Sequence, residues 1–513
     1  MGQFGASARC SELALLLLIC SGCTEGTDEL PRADPDGGST SSEPDARTDA
    51  GLSETAADAG SVSGVWVRGR VTRHLVHELG VDDVPADLST TRFTLHGSHN
   101  SHGSHGPFAS AMGTKQGTFA VGPVPPAERY VVERRLEDDF FLPEVYVIDT
   151  PELVIDESGF GHRTDIWTGV QTPIELDLKG LATPQPSDEI RFDTSVGFSG
   201  HRTLGVDPFH TSARVPFTWH GPVLDWRAGD RAFVAQYRFG EEAGACSRIV
   251  RAAELPPFPM QPGRPAHAAV ALEALTSTLA VALSISREVR SQALPAEPLF
   301  YGPGLWVTAF TGNGLIARSG RMRVDHSARL GSCPLGDVEA DAVDLAFGDP
   351  YPHAWDRVLQ LGYTFAFAWQ RDTSFLGIGY GWRWELPADA SVDLRPTLGL
   401  MGPPQVDGQS SVPRVELSRP TPRISWAPPS FGRVDLYALV VWFGHKSVWI
   451  GDTQFYTPDP FFDVPAGVLE PGVTYLIEVH AIQQDGLRPS RPKWVQRPRS
   501  TMSLPTPMFR YVP

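Results

Sequence analysis

Residues 363–384 read YTFAFAWQRDTSFLGIGYGWRW, and this stretch decides the fold class. Large aromatic or aliphatic residues alternate with small or polar ones on both sides of the polar turn at 371–374. Such alternation is typical of β-strands, in which successive side chains point to opposite faces. The stretch therefore predicts a hairpin whose two strands each have an aromatic face and a small-residue face.

The same two-residue period recurs along the chain, for example over residues 279–286, where large apolar residues alternate with Ala and Ser. The chain also contains 50 glycines and 46 prolines, a density that favours short strands and turns over long helices. A length of 513 residues indicates about three domains. We therefore predict an all-β chain of tandem β-sandwich domains, with helices considered only near 75–89 and at 266–277.

Composition and charge exclude two broad classes of protein. Hydrophobic residues make up 41% of the chain, which is enough for several apolar cores and excludes global disorder. The net charge of -17 argues against a nucleic-acid partner, because phosphate backbones attract positive surfaces. Neither a nucleic-acid ligand nor a cofactor is expected.

The amino terminus predicts export. Residues 13–19 form an apolar run of seven, far shorter than the roughly 20 residues of a spanning helix, so residues 1–23 are predicted to be a signal peptide. Ser21 and Gly22 before Cys23 resemble a bacterial lipobox, whose cysteine becomes an acylated amino terminus. This resemblance implies lipid attachment at Cys23 and a membrane partner, at the outer membrane or cell surface of a Gram-negative cell. A periplasm-facing anchor and a soluble secreted product are the alternatives.

Residues 24–61 contain ten acids, two arginines and no aromatic residue. Such a segment buries too little apolar surface to offset the entropy of ordering, so we predict a disordered acidic linker. Cleavage would remove Cys10 and Cys20, and lipidation would use Cys23, which leaves Cys246 and Cys333. In an oxidising compartment these two are predicted to form one disulfide, with two separate buried thiols as the alternative.

Residues 62–160 are predicted to form the first folded domain. The tripeptide Gly69-Arg70-Val71, the segment GTFAVGPVP at 117–125 and Tyr130-Val131-Val132 resemble carboxypeptidase regulatory-like modules, which are small prealbumin-type β-sandwiches. The resemblance implies an accessory domain without catalysis. Its predicted strands lie at 65–71, 91–95, 118–121, 130–132 and 145–148.

Residues 400–495 are predicted to form the last domain. The segments ISWAPP at 424–429, LYALV at 436–440 and LEPGVTY at 469–475 resemble a fibronectin type III module. In such a sandwich Trp426 would fill the core, and the Tyr475 hydroxyl would donate to the backbone at a strand corner. Residues 496–513 are expected to form a C-terminal tail.

Residues 165–392 are predicted to form a larger β-sandwich of unknown type. The segment GDPYP at 348–352, followed by Trp355, resembles a pattern that recurs in myxobacterial surface proteins of unassigned function. The aromatic residues Tyr380, Trp382 and Trp384 are candidates for a platform on which sugar rings stack. The alternative is that they belong to the core, because an exposed patch of this size is unusual in a monomer.

A second candidate site is a tract in which histidine recurs at every third residue. Neutral imidazoles bind Zn, Ni and Cu well, so metal capture is one hypothesis. In an extended conformation, however, successive histidines would lie about 9 Å apart, which favours a polar loop as the alternative. The tract comprises His96, His99, His102 and His105.

Motifs of known enzyme classes do not occur in recognisable form. Residues 74–78 lack the order of zinc-peptidase motifs, residues 197–201 do not complete a nucleophile elbow, and a nucleotide-binding loop is missing. We therefore expect a cell-surface, lipid-anchored binding or structural protein with a glycan or envelope-protein partner and without a catalytic site. The alternatives are a carbohydrate-active or other hydrolase with a site in the middle domain, and a histidine-rich metal-binding protein.

Overall fold

Strands form nearly all of the regular structure. The computed structural model describes residues 64–513 except for 79, 97–106, 137–142, 161–171, 197–198, 205–210, 220–222, 241–244, 286–299, 311–327, 335–341, 369–376, 388–391, 395–396, 400, 410–413, 446–447, 485–486, 489 and 492–499. Within the described residues there are thirty-two strands and one 3-10 helix, at Trp226–Ala228. The predicted all-β fold class is therefore confirmed. The predicted signal peptide and linker lie outside the described residues.

The first domain is a sandwich of two sheets. In one sheet β1 pairs with β2 and β5 and, in parallel, with β8; the facing sheet has the order β4-β3-β6-β7. Phe93 and Phe119 stack between the sheets with ring centroids 3.8 Å apart. The strands are β1 (Val65–His77), β2 (Gly80–Pro85), β3 (Thr91–His96), β4 (Pro107–Met112), β5 (Thr118–Val124), β6 (Tyr130–Leu136), β7 (Glu144–Ile148) and β8 (Glu152–Phe160).

The strands predicted for this domain are confirmed as β1, β3, β5, β6 and β7. The helical expectation near residues 75–89 is wrong, because β1 continues to His77 and β2 returns antiparallel to it. Leu75 and His77 point inward from alternate positions of β1, which is a strand period.

The middle region spans residues 172–394, and its described residues form fifteen strands. Its strands are β9 (Thr172–Lys179), β10 (Glu189–Thr194), β11 (Ser199–Thr203), β12 (Ser212–Trp219), β13 (Ala232–Arg238), β14 (Ser247–Glu254), β15 (Ala266–Ala271), β16 (Glu273–Ala274), β17 (Thr278–Ile285), β18 (Phe300–Phe310), β19 (Ala328–Pro334), β20 (Ala342–Gly348), β21 (Asp356–Ala368), β22 (Gly377–Pro387) and β23 (Val392–Leu394). The helix considered at 266–277 is wrong: Ala266 and Ala268 face inward and β15 pairs in parallel with β9.

Two apolar cores divide the middle region, which the sequence predicts as one larger sandwich. In the first half, a sheet of order β12-β9-β15 shares a core with β10 and β13, where Phe192 and Trp219 are buried. In the second half, β20 of the sheet β20-β17-β23 lies against β19. There the ring of Phe347 on β20 packs on Gly331 of β19. The alternation within single strands does not show which strands share a core.

The last domain contains a small sheet of order β24-β26-β29 and a larger one in which β28, β27, β30 and β31 are successive neighbours. Trp426 is buried between these two sheets, as predicted. Its ring lies edge-on to the ring of Tyr437. The Tyr475 hydroxyl accepts a hydrogen bond from the Glu470 backbone N–H at 2.8 Å, whereas the sequence predicted it as the donor. The strands are β24 (Gln405–Val406), β25 (Arg414–Leu417), β26 (Arg423–Ser425), β27 (Leu436–His445), β28 (Val448–Thr457), β29 (Phe461–Asp463), β30 (Thr474–Gln483), β31 (Ser500–Pro505) and β32 (Met508–Tyr511).

The expected tail at residues 496–513 is instead part of this domain. β31 pairs with β30, and β32 pairs with β25 in parallel. The Phe509 side chain is fully buried, which explains why this segment joins the sheet. The last domain therefore needs its carboxyl-terminal residues to complete its core.

Strands of other domains extend the larger sheet of the last domain at both edges. β7 of the first domain pairs in parallel with β28, and β22 of the middle region pairs antiparallel with β31. Tyr146 stacks on Tyr456 at the first of these contacts, with ring centroids 5.1 Å apart, and Arg129 forms an ion pair with Asp459. Shared sheets thus join the three parts of residues 65–513 into one unit. Among the described residues, no helix has the length and apolarity needed to span a membrane.

Candidate functional site

The predicted histidine site is described at one residue. His96 ends β3, and its Nε2 lies 2.6 Å from Glu133 Oε2 on β6. Burial would raise the pKa of Glu133, but His96 and then Arg135 outweigh burial and lower it. Among the described residues, no group of three His, Cys, Asp or Glu side chains is placed to hold a metal. The other members of the tract lie outside the described residues: His99, His102 and His105.

The predicted aromatic hairpin is present as β21 and β22. Tyr380 and Trp384 stand opposite residues of β21, and Trp382 stands opposite Met502 of β31. β22 is thus paired along both edges. The side chains of the three candidate platform residues lie outside the described part of the structure, so the platform stays a prediction.

Cys246 and Cys333 are joined by a disulfide, with a Cα–Cα distance of 4.2 Å. The bridge joins the residue directly before β14 to β19, next to the pairing of Ser247 on β14 with Ser332 on β19. Cys23 lies outside the described residues.

The GDPYP segment wraps around one arginine. Asp349 accepts two hydrogen bonds from Arg357, at 2.7 Å from Nε and 3.0 Å from Nη2. The same guanidinium donates to the backbone carbonyls of Tyr351 and Pro352 at 3.0 Å, and to that of Trp355. The two N–H groups of Nη2 serve three of these acceptors, so one of these N–H groups is shared between two oxygens. This segment is therefore a fixed loop that presents two aromatic rings.

Those two rings each donate a hydrogen bond to a carboxylate, Asp193 being buried and Glu78 half-buried. Tyr351 and Trp355 stack with centroids 5.3 Å apart, and both meet the Phe233 ring edge-on. The Tyr351 hydroxyl donates to Asp193 Oδ2 at 2.7 Å in a buried position. Burial, followed by the charge of Asp193, raises the pKa of Tyr351 well above its ordinary value. Trp355 Nε1 donates to Glu78 Oε2 at 3.0 Å.

Glu78 belongs to the first domain and reaches into the middle region. Its Oε1 lies 3.9 Å from Arg231 Nη1, and Arg231 also forms a two-pronged pair with Glu254. Burial raises the pKa of Glu78, while the Trp355 N–H and Arg231 oppose that rise. We define the junction site as Glu78, Asp193, Arg231, Tyr351 and Trp355. Its geometry can hold two domains together through the half-buried polar contacts of Glu78 with Trp355 and Arg231.

A second buried charge cluster lies inside the first domain. Arg134 Nη1 lies 2.5 Å from Glu157 Oε1 and 3.1 Å from Glu144 Oε2, and the Tyr146 hydroxyl donates to Glu144 at 2.6 Å. Burial would raise the pKa of Glu157, but Arg134 and then Arg73 lower it. A general acid needs a raised pKa, so this direction suits a structural ion pair and not a proton donor.

Sequence reasoning missed both clusters. The sequence feature that could have indicated the second cluster is a charged residue at an inward-facing position of an alternating strand. Arg134 is such a residue, because it lies two positions after the buried Val132 on β6. A buried charge needs a partner, so such a position predicts an ion pair across the core. The sequence does not identify the partner, because Glu157 lies on another strand of the facing sheet.

Comparisons with known proteins identify no family for this chain. No protein-family model matches the sequence. No curated protein matches it either. Among solved structures, two B repeat units of the collagen-binding protein of Staphylococcus aureus are 8% identical, over 86% of this chain and all of that chain, with a TM-score of 0.12. Salmonella alpha-2-macroglobulin is 11% identical over 88% of this chain and 29% of that chain, with a TM-score of 0.13.

Proposed function

We propose that the chain is a lipid-anchored protein of the outer membrane or cell surface that works as a rigid binding or structural module. The observation that carries this proposal is the double extension of the last domain's sheet, by β7 at one edge and β22 at the other. Backbone ladders between domains resist bending far more than flexible linkers do. A rigid body on an acidic tether suits a scaffold that is held at a membrane surface.

Two further observations support the location. The Cys246–Cys333 disulfide fits an oxidising compartment outside the cytosol. Cys23 follows an apolar run and two small residues, the pattern of an acylated lipoprotein cysteine.

The fibronectin type III and carboxypeptidase regulatory-like resemblances belong to the same proposal. For the last domain, support comes from its two-sheet arrangement and from Tyr475, whose hydroxyl contacts the backbone five residues upstream. Modules of both kinds serve as accessory or binding domains, which suits a scaffold. The ligand of such a module is a glycan or another envelope protein in this proposal.

Membrane fractionation in a Gram-negative host tests the anchor. The wild-type chain is expected in the membrane fraction with an acylated amino-terminal cysteine by mass spectrometry. Cys23→Ser is expected to lose the acyl mass and leave the membrane fraction. Cys20→Ser is the matched control and should keep both. An unmodified amino terminus on the wild-type chain would refute the anchor.

A further inference from the structure

The outer face of β1 carries an unusual set of exposed side chains. Trp66 is 46% exposed, and Arg68 and Arg70 on the same face are also exposed. The alternate residues Val67 and Val71 are buried in the core. The strand thus presents an aromatic ring and two guanidinium groups in a row, in the first residues of the folded unit.

Arg68 and Arg70 differ in their contacts from Arg73, the next arginine on β1. Arg73 lies 3.4 Å from Glu157 within the sandwich. The guanidinium groups of Arg68 and Arg70, by contrast, form no hydrogen bond or ion pair with any residue that the structure describes. An exposed guanidinium without a carboxylate partner remains available to an external anion.

The neighbouring strands do not cover the row formed by Trp66, Arg68 and Arg70. On β5 the neighbours in register are the small exposed residues Thr118, opposite Arg70, and Ala120, opposite Arg68. On β8 the exposed Glu152 stands opposite Arg68, and the exposed Lys115 lies in the turn before β5. The local charge is therefore positive, although the whole chain carries a net charge of -17.

The position of this face in the chain indicates its partner. About 40 residues separate Cys23 from Val65, and the disordered linker that the sequence predicts there would span roughly 35 Å root-mean-square. If Cys23 is acylated, as proposed above, the outer face of β1 is held within reach of the bilayer. Tryptophan favours the membrane–water interface, and arginine pairs with phosphate groups.

We propose that Trp66, Arg68 and Arg70 dock the folded unit on a bilayer surface whose headgroups carry phosphate and net negative charge. The proposal rests on the proposed lipid anchor, which supplies the membrane. Docking would orient the module, so that the rest of the molecule faces away from the lipid. Because the chain as a whole is repelled by negative lipid, binding has to come from this local row.

A sedimentation assay with vesicles tests the docking without the anchor. The chain from Thr24 to Pro513 keeps the tether and the compact unit of residues 65–513, and it lacks the acylated cysteine. It is mixed with vesicles of phosphatidylcholine alone, or of phosphatidylcholine and phosphatidylglycerol in equal parts. We expect binding to the phosphatidylglycerol vesicles only, and weaker binding at high salt.

Substitutions then assign the binding to the row. The double variant Arg68→Glu and Arg70→Glu should bind at least about thirtyfold more weakly, because each basic residue near a negative surface contributes about 1 kcal/mol. Trp66→Ala should also weaken binding. The matched control, Arg248→Glu with Arg414→Glu, makes the same charge change on exposed arginines elsewhere and should bind as the wild type does.

Failure of the docking proposal and failure of the lipid-anchor proposal give different experimental results. Absence of binding by the wild-type chain, equal binding to both vesicle types, or equal losses in the two double variants would each overturn the docking. None of these outcomes bears on acylation, which mass spectrometry measures separately. An unmodified Cys23 would refute the anchor while leaving the vesicle result intact.

Discussion

Trp355 donates its indole N–H to Glu78 Oε2 at 3.0 Å, although the two residues are 277 positions apart in the chain. Glu78 follows the last residue of β1 in the first domain, and Trp355 ends the GDPYP loop of the middle region. The indole is one of two groups that oppose the burial cost of this carboxylate, the other being Arg231. One hydrogen bond therefore affects both the charge state of Glu78 and the contact between the two domains.

Trp355→Phe removes this donor and keeps an aromatic ring against Tyr351. We expect the free energy of unfolding to fall by about 1–3 kcal/mol, because a half-buried carboxylate loses a hydrogen bond. Urea denaturation at neutral pH measures the change. Trp66→Phe is the control at an exposed tryptophan and should change stability by less than about 0.5 kcal/mol. Equal effects of the two substitutions would contradict the role given to the indole.

Tyr351→Phe removes the hydroxyl that donates to Asp193. Asp193 is only 1% exposed, so its carboxylate would stay buried without that donor. We expect a loss of about 1–3 kcal/mol, because a buried acceptor would lose its hydrogen-bond donor. Chemical denaturation of both single variants and the double variant with Asp193→Asn gives the coupling between the two residues. Additive effects would show that the hydroxyl and the carboxylate do not act together.

Local alternation explains which parts of the fold were predictable. The strands β1, β3, β5, β6 and β7 and the hairpin β21–β22 follow from side-chain patterns that each segment carries by itself. The strands β31 and β32 were missed, because each is short and polar residues interrupt its apolar pattern. The pairing of β7 with β28 was missed for a different reason: a strand's sequence does not name its neighbour in another domain.

The candidate sites also differ in whether the sequence alone could predict them. The cysteine pair could be reached by counting, because only Cys246 and Cys333 lie beyond the amino-terminal segment. The junction site could not, because Glu78 is one of many acids and its burial depends on Trp355 and Arg231. The sequence reports which groups can ionise, and the fold decides which of them lose contact with water.

The disulfide gives a prediction about the middle region. Cys246→Ala with Cys333→Ala opens a loop with a sequence separation of 87. Chain entropy then predicts a loss of up to about 4.5 kcal/mol, because the unfolded chain gains freedom. Thermal unfolding of the oxidised and reduced wild type and of the double variant measures it. The reduced wild type should unfold at nearly the same temperature as the double variant, and a reductant should not affect the variant. No shift on reduction would contradict a stabilising bridge.

His74 lies between two carboxylates of the first domain. Its Nδ1 is 2.5 Å from Asp83 Oδ1 on β2, and its Nε2 is 3.4 Å from Asp156 Oδ1 on β8. The nearby carboxylate of Asp156 raises the pKa of His74, burial lowers it, and the contact with Asp83 raises it further. The net result is a pKa above the ordinary value of 6.5, so the folded state favours the protonated imidazole.

A raised pKa in the folded state fixes the sign of the pH dependence. The stabilisation from His74 is fully present below pH 6.5, declines as the pH rises through the folded-state pKa, and is absent above it. His74→Gln removes this contribution, so the stability difference between wild type and variant should be larger in mildly acidic solution than in alkaline solution. Urea denaturation across that pH range measures the difference and cancels the titration of other groups. His267→Gln is the control, because His267 is exposed and lies 3.7 Å from a single glutamate, Glu175. A stability difference for His74→Gln that varies with pH no more than the difference for His267→Gln would show that the two aspartates do not hold the proton on His74.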